Sequence, residues 1–591
     1  MCGIAGEICF TGGADVTAVE RIAAVLAPRG PDGSGAYAAD GIALAHRRLR
    51  IIDLSPSGQQ PMVDSQLGLA IVFNGCIYNY KQLRAELEAD GYGFFSHSDT
   101  EVLLKAYHRW GEAFVDHLHG MFAIGIAERE TGDLVLVRDR LGIKPLYTAA
   151  TPGGLRFAST LPALVAGGGI DTSIDRVALH HYLTFHSVVP APRTLLNGVR
   201  RVEPGTVMRI SADGETRVTR YWRADFARNP AHAGMDAGDW SEAVLEALRV
   251  AVDRRMVADV QVGVLLSGGL DSSLIVGLLA KSDRAKLSTF SVGFERVGGH
   301  AGDEFEFSDL IAREFATDHH KLVISGERLL PALDRAIGAM SEPMVSHDVV
   351  AFHLLSEEVS KHVTVVQSGQ GADEIFAGYD WYPPLRDAEG SGFGEYSGKF
   401  FDRSHAEITE AVEPDFLAEK DISRDFVLAH FARDGADEPT DRALRLDTEV
   451  MLVDDPVKRV DNMTMAWGLE GRVPFLDHEL VELAAACPPA LKLAQGGKGV
   501  LKDAARRILP AGVIDREKGY FPVPALIHLE GPFLELVETA LRSPQARARG
   551  IFRQEYVDRL LAAPNDERTP LGGNKLWQLG VLELWLQGQG L

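Results

Sequence analysis

Cysteine is scarce in this chain, with four residues in 591: Cys2, Cys9, Cys76 and Cys487. So few thiols in so long a chain exclude a disulfide scaffold. No CxxC pair occurs among them, so a structural zinc site built on cysteine is not expected. Positive charge is also in deficit: 60 Lys and Arg face 83 Asp and Glu, giving a net charge of −23. That argues against a nucleic-acid partner, since phosphate recognition needs a basic footprint. No apolar run approaches the roughly 18–20 residues that span a bilayer. The start lacks the basic and long apolar regions of a signal peptide. Internal repeats and low-complexity tracts are missing too. The chain reads as soluble and cytoplasmic, with no membrane partner. Its 46% hydrophobic and 24% charged content is ordinary for globular protein, and its length calls for two or more domains.

Two textures follow one another. Residues 1–150 read as short strands broken by glycine turns, with a few helices. An early helix near 15–27 places Val16, Val19, Ile22, Ala23 and Leu26 on one face. "LGLAIVFNG" (67–75) reads as a strand ending in an Asn-Gly turn, and 121–140 as a hairpin. "DTEVLLKAYHRWG" (99–111) reads as a helix stopped by Gly111. Together these predict an α+β domain of stacked antiparallel sheets over 1–215. Beyond a linker over 206–239 that includes a terminal strand, strands and helices alternate: a helix at 240–256, then strands at 260–269, 287–294 and 363–369. That alternation predicts an α/β doubly wound parallel sheet over 216–591, mainly helical after about 400.

Two loops in the second half carry chemistry. In "LLSGGLDSS" (265–273) a strand ends at Leu266, and Ser267-Gly268-Gly269 turn into a helix. Small residues let backbone N–H groups approach a polyanion, and the helix N-terminus adds its positive dipole end. This is not the Walker loop, which requires GxxxxGK followed by Ser or Thr. Asp271 and Ser272 follow the glycines instead, and a carboxylate beside a polyphosphate makes sense if it holds Mg²⁺. A second acidic cluster, "SGQGADE" (368–374), also follows a strand. At the other end stands Cys2, behind only Met1. If Met1 is removed, one residue carries a thiol (pKa roughly 8.5) and an α-amine (pKa roughly 8). Nucleophile and base are then supplied together.

The first loop resembles the pyrophosphatase-type loop of ATP-using enzymes that release AMP and pyrophosphate. The resemblance implies ATP contacts from Leu266, Ser267, Gly268, Gly269, Asp271, Ser272, Val292, Ser368, Gly369 and Asp373. It also implies Mg²⁺ held by Asp271 and Asp373, and a catalytic Lys498 in "GGKGVLKDAARRILP" that stabilises charge at the α-phosphate. "RGPDGSG" (29–35), "AHRRLRIIDLS" (45–55), "FNGCIYNY" (73–80), "HSDTEVLL" (97–104) and "RDRLGIKPLY" (138–147) resemble class II glutamine amidotransferases, which are N-terminal-nucleophile hydrolases. That resemblance implies Cys2 as nucleophile, and Asn74 and Gly75 as an oxyanion hole. Arg48 would clamp the glutamine carboxylate, Asp99 would take its ammonium, and Cys76 would lie in the same pocket. Arg47 and Arg50 flank Arg48, and the choice among the three rests on the family pattern.

Together with "MTMAWGLEGRVPFLDHELVELA" (463–484), the two halves resemble the glutamine-hydrolysing asparagine synthetases over essentially the whole chain. This implies a ligase that makes ammonia from glutamine, adenylates an acceptor carboxylate with ATP and amidates it. A shielded ammonia path is implied, and a homodimer is allowed. The chain departs from that family at Cys76 and Thr160, where glutamate is usual, and at Gln370, which replaces the glutamate of SGEG(S/A)DE. A neutral amide at 370 can neither act as a base nor balance a substrate ammonium. An N-acylated acceptor has no ammonium. "VVPAPRTLL" (188–196), "SEPMVSHD" (341–348), "FDRSHAE" (401–407), "VQSGQGADE" (366–374), "DDPVKRVDNMTMAWGLE" (454–470) and "KGYFPVP" (518–524) look like the N-acetylglutaminylglutamine amidotransferase subgroup. Aspartate is the alternative acceptor, with Glu342 or Asp348 as substitute carboxylates. A cyclising synthetase with an inactive first domain, and a binding protein without activity, fit the retained motifs less well.

Overall fold

The computed structural model describes residues 2–39, 41–281, 287–294, 305–516 and 524–591. Among these the strands form three sheets. The first runs Val199–Arg201, Tyr147–Thr151, Gly154–Ala158, Gly3–Cys9, Ile42–Arg48, Gly33–Ala39. The second runs Thr216–Arg220, Thr206–Ile210, Leu134–Arg138, Gly120–Glu128, Leu69–Ile77, Met62–Asp64. Both are antiparallel.

Period-two alternation makes these sheets stack. Ile4, Ile8, Leu44 and Phe157 of the first sheet meet Ala70, Val72, Ala123 and Leu136 of the second in one buried cluster. The opposite faces carry Ala5, Ala43 and Ala45 on one side and Ile71, Phe73 and Ile124 on the other, each covered by helices. The first domain is thus helix, sheet, sheet, helix. The helix Val16–Val25 begins at Asp15, whose side chain accepts from Ala18 N at 2.9 Å. It buries Ala18, Val19, Ile22 and Ala23. Val16, expected on that face, sits at its rim in the first turn and is 39% exposed.

One further expectation fails. Asn74-Gly75 makes no turn: the strand runs on to Ile77, with Asn74 opposite Ala123 and Gly75 opposite Phe122. The glycine answers a close approach, not a reversal. A Cβ at 75 would lie 2.1 Å from the Met121 carbonyl oxygen. The 206–239 region opens with a strand pair, Thr206–Ile210 and Thr216–Arg220, so the second sheet continues to Arg220.

The third sheet is parallel, in the order Asp318–Ile324, Ser288–Phe294, Val262–Leu265, Val365–Gln367, Glu470–Arg472. Strand order reverses between Val262–Leu265 and Val365–Gln367, whose C-terminal ends lead into the two chemical loops. That is the switch point where doubly wound sheets bind ligands. Helices dominate after residue 400 and end in the buried Lys575–Gly588, which carries Trp577 and Trp585. Residues 518–523 of "KGYFPVP" lie outside the described residues. No helix among the described residues is long and apolar enough to cross a membrane.

Candidate active sites

The first site lies where the N-terminal strand meets the end of Leu69–Ile77. Cys2 is buried, and its backbone N donates to Asn74 Oδ1 at 3.0 Å. Its thiol faces the Leu49 carbonyl at 4.0 Å, and burial raises its pKa. Asn74 Nδ2 is buried without a hydrogen-bond partner. A buried amide donor with no acceptor among the described residues is costly, and this side chain holds the Cys2 backbone through its other atom, so the free donor belongs to the residue an oxyanion at Cys2 would use. Cys2, Arg48, Gly75, Cys76, Ser98 and Asp99 line one pocket. Arg48 is held by the carbonyls of Ser55 (3.0 Å) and Asp53. Arg47 turns away to the Ala23 carbonyl (2.9 Å), and Arg50 is exposed.

Asp99 opens the helix Asp99–Trp110 behind the N-cap Ser98 and accepts from Ile77 N at 3.1 Å. Burial pushes its carboxyl up to about 6, and the nearby Glu470 adds to the rise. If this carboxylate receives the glutamine ammonium, it must be ionised. Protonation below about pH 6 should then raise KM for glutamine, while ammonia-dependent turnover keeps a different profile. Parallel pH titrations of the two activities check this, and Asp99→Asn should remove the acid limb in glutamine KM.

The second site gathers at the switch point. Lys498 Nζ lies 2.7 Å from Asp271 Oδ2 and 2.9 Å from Asp373 Oδ1. The two carboxylates raise the lysine pKa against the opposing effect of burial. Lys498 has φ +56° at the head of the helix Gly499–Ala505. Gly378 makes room for the trio: a Cβ there would fall 2.1 Å from Asp373 Oδ1 and 2.3 Å from Lys498 Cε. In the first loop, Ser267 Oγ and Ser272 Oγ are 3.0 Å apart, and Gly269 N donates to Ser267 Oγ at 3.2 Å. Gly268, at φ +76°, admits Phe307 and Ser308. Gly369 packs on Asp271 and Ser272, at 3.0 Å from each for a notional Cβ. Leu266 is buried and its N bonds the Phe290 carbonyl at 2.8 Å. Val292 is half-buried on the neighbouring strand, packing against apolar clusters. Ser291, not Val292, ties that strand to the loop by donating to the Leu266 carbonyl. Gln370 is half-buried in the turn before Ala372–Phe376, and no side-chain hydrogen bond reaches it among the described residues.

Residues not singled out from sequence join the two sites. Arg29 Nε donates to the Cys2 carbonyl at 3.3 Å, and its two Nη atoms clamp Asp461 of the second domain at 2.8 and 3.1 Å. Arg472 is fully buried. Its Nη2 reaches Cys76 Sγ at 3.6 Å, its Nε reaches Glu470 at 2.5 Å, and its own carbonyl accepts from Ser368 N at 2.8 Å. Glu374, pushed up to about 7 by burial and by Asp373, accepts from Tyr379 at 2.6 Å. The two substitute carboxylates already have partners: Glu342 pairs with Arg201 at 3.0 Å, and Asp348 with Arg459 at 2.8 Å.

Residues 1–222 match the family described as glutamine amidotransferase domain, and residues 243–587 match the family described as asparagine synthase. The chain is 32% identical over 600 residues to asparagine synthetase (glutamine-hydrolyzing) 1 of Bacillus subtilis, covering 96% of this chain and 93% of that protein. It is 31% identical over 549 residues to asparagine synthetase (glutamine-hydrolyzing) 3 of the same organism, covering 88% and 87%.

Proposed function

Since the chain belongs to the glutamine-hydrolysing asparagine synthetase family and is an ATP-dependent ligase of that type, we propose that it amidates the C-terminal carboxylate of an N-acylated dipeptide, N-acetylglutaminylglutamine. The carrying observation is the charge state around Gln370. The residue is a neutral amide, and the two carboxylates proposed as substitutes for the missing glutamate are already engaged, Glu342 with Arg201 and Asp348 with Arg459. An acceptor with a free ammonium would meet a neutral amide at 370 and Glu374, whose carboxyl is pushed up to about 7 by burial and by Asp373, whereas a capped one needs no counter-charge. The subgroup-like segments also converge. Val189 N donates to Asp454 at 2.7 Å, Leu195 N to Glu342 Oε2 at 3.2 Å, and Ser346 Oγ to Asp455 at 2.9 Å. Aspartate remains the second reading, favoured by the names of the relatives.

In this reading Cys2, freed of Met1, attacks the glutamine amide, and its α-amine takes the thiol proton. Asn74 Nδ2 and the Gly75 N–H stabilise the oxyanion. Arg48 and Asp99 fix the α-carboxylate and ammonium of glutamine. The ammonia released moves to the second site, where Lys498 stabilises charge on the α-phosphate as the acceptor carboxylate attacks. Asp271 and Asp373 offer the hard oxygen donors that suit Mg²⁺, which would neutralise the pyrophosphate when bound. Water hydrolyses the thioester left on Cys2 to glutamate, pyrophosphate leaves as the acyl-adenylate forms, and ammonia then displaces AMP to give the acceptor amide.

Acceptor-dependent release of AMP and pyrophosphate, one of each per amide formed, is the test of the reaction type. Release of ADP and phosphate would overturn it.

A further inference from the structure

Outside the residues assigned to the two sites, an imidazole of the first domain faces one of the second. His119 stands just before the strand Gly120–Glu128 of the first domain. His478 and Glu479 open the helix His478–Ala486 of the second. The two rings lie 4.9 Å apart at 47°. One ligand atom from each of the three residues falls within 4.8 Å of the others. His119 Nδ1 is buried without a hydrogen-bond partner, and neither imidazole makes a ring hydrogen bond among the described residues. Buried polar atoms left without partners in a native fold call for a missing water or ion.

We propose that His119, His478 and Glu479 form a site for a zinc-like divalent transition-metal ion that staples the two domains together. Two imidazoles and one carboxylate are a donor set for zinc and its late first-row neighbours, with a fourth position open to solvent. Magnesium, which takes oxygen ligands, does not fit. Neutral imidazole is the state that ligates metal. Backbone contacts hold the donors. Asn79 Oδ1 accepts from His119 N at 3.1 Å, and Asp477 caps the helix by accepting from Glu479 N at 3.3 Å. Arg254 is the opposing charge. It pairs with Asp477 at 3.2 Å and with Glu479 Oε2, so the ion competes with Arg254 for this carboxylate.

The test is a Co²⁺ titration of the full-length Cys2→Ala chain, which lacks the thiol of the first site, in excess Mg²⁺. The expected result is one Co²⁺ per chain with the visible absorption of a four-coordinate site, displaced by Zn²⁺. Adding His119→Ala or His478→Ala should weaken binding at least about tenfold, the scale on which lost support of a metal site is felt. Where an alanine variant fails to fold, His119→Gln serves in its place. Zn²⁺ should raise the melting temperature of the parent and not of the histidine variants. Absence of Co²⁺ binding, or equal affinity in parent and histidine variants, overturns the proposal.

Discussion

Cys2→Ala should lower glutamine-dependent amidation by at least about a thousandfold, the scale seen when a catalytic nucleophile is removed, while ammonia-dependent amidation survives. The expectation follows from the separation of the two centres. The thiol lies in a pocket with Arg48, Gly75 and Asp99, whereas Lys498, Asp271 and Asp373 gather at the ends of a different sheet. The variant keeps the Cys2 backbone contacts to Asn74 and Arg29, so the domain interface is not disturbed. Free ammonia supplied in solution bypasses the lost step. Glutamine-driven turnover in the variant would contradict the assignment. So would a fully active protein that retains Met1, because the α-amine would then not be the base.

Asp271→Asn or Asp373→Asn should cut ATP-dependent pyrophosphate release by about a hundredfold or more, the cost of removing one preorganised electrostatic contact in a catalytic site. Glutaminase activity should remain measurable. Each carboxylate faces the same lysine, so losing one removes half of its counter-charge and one of the two oxygen groups suited to Mg²⁺. Pyrophosphate and glutamate are measured in the same reaction. Parallel loss of both would mean that the two centres cannot act separately. The contact from Ser368 through Arg472 to Cys76 is the route by which such coupling would run.

Local pattern carried much of the fold into view. The helix at Asp99 announced itself through a glycine stop, and the hairpin at 121–140 through two apolar runs around Thr-Gly-Asp. The loops after Val262–Leu265 and Val365–Gln367 were legible because glycine and serine have no local reason to follow a buried strand together. Asn74-Gly75 misled because Asn-Gly reads as a turn, while the constraint on Gly75 is the Met121 carbonyl on a neighbouring strand, which no local window contains. Arg29, Asp461 and Arg472 escaped for the same reason. Arg29 and Asp461 are separated by 432 positions, and a buried arginine looks like any other until its partner is known. Glu342 and Asp348 stood out as spare carboxylates only while Arg201 and Arg459 were not seen beside them.

The central claim turns on the acceptor, and kcat/KM for aspartate and for N-acetylglutaminylglutamine, measured side by side with ammonia as donor, tests it most directly. Ammonia isolates the second site from glutamine hydrolysis. A buried charge left without a partner costs about 3–5 kcal/mol, and each 1.4 kcal/mol is about tenfold. The capped dipeptide should therefore be preferred by at least about a hundredfold. Equal or better activity on aspartate would contradict the claim and make the protein an asparagine synthase that works with glutamine at position 370.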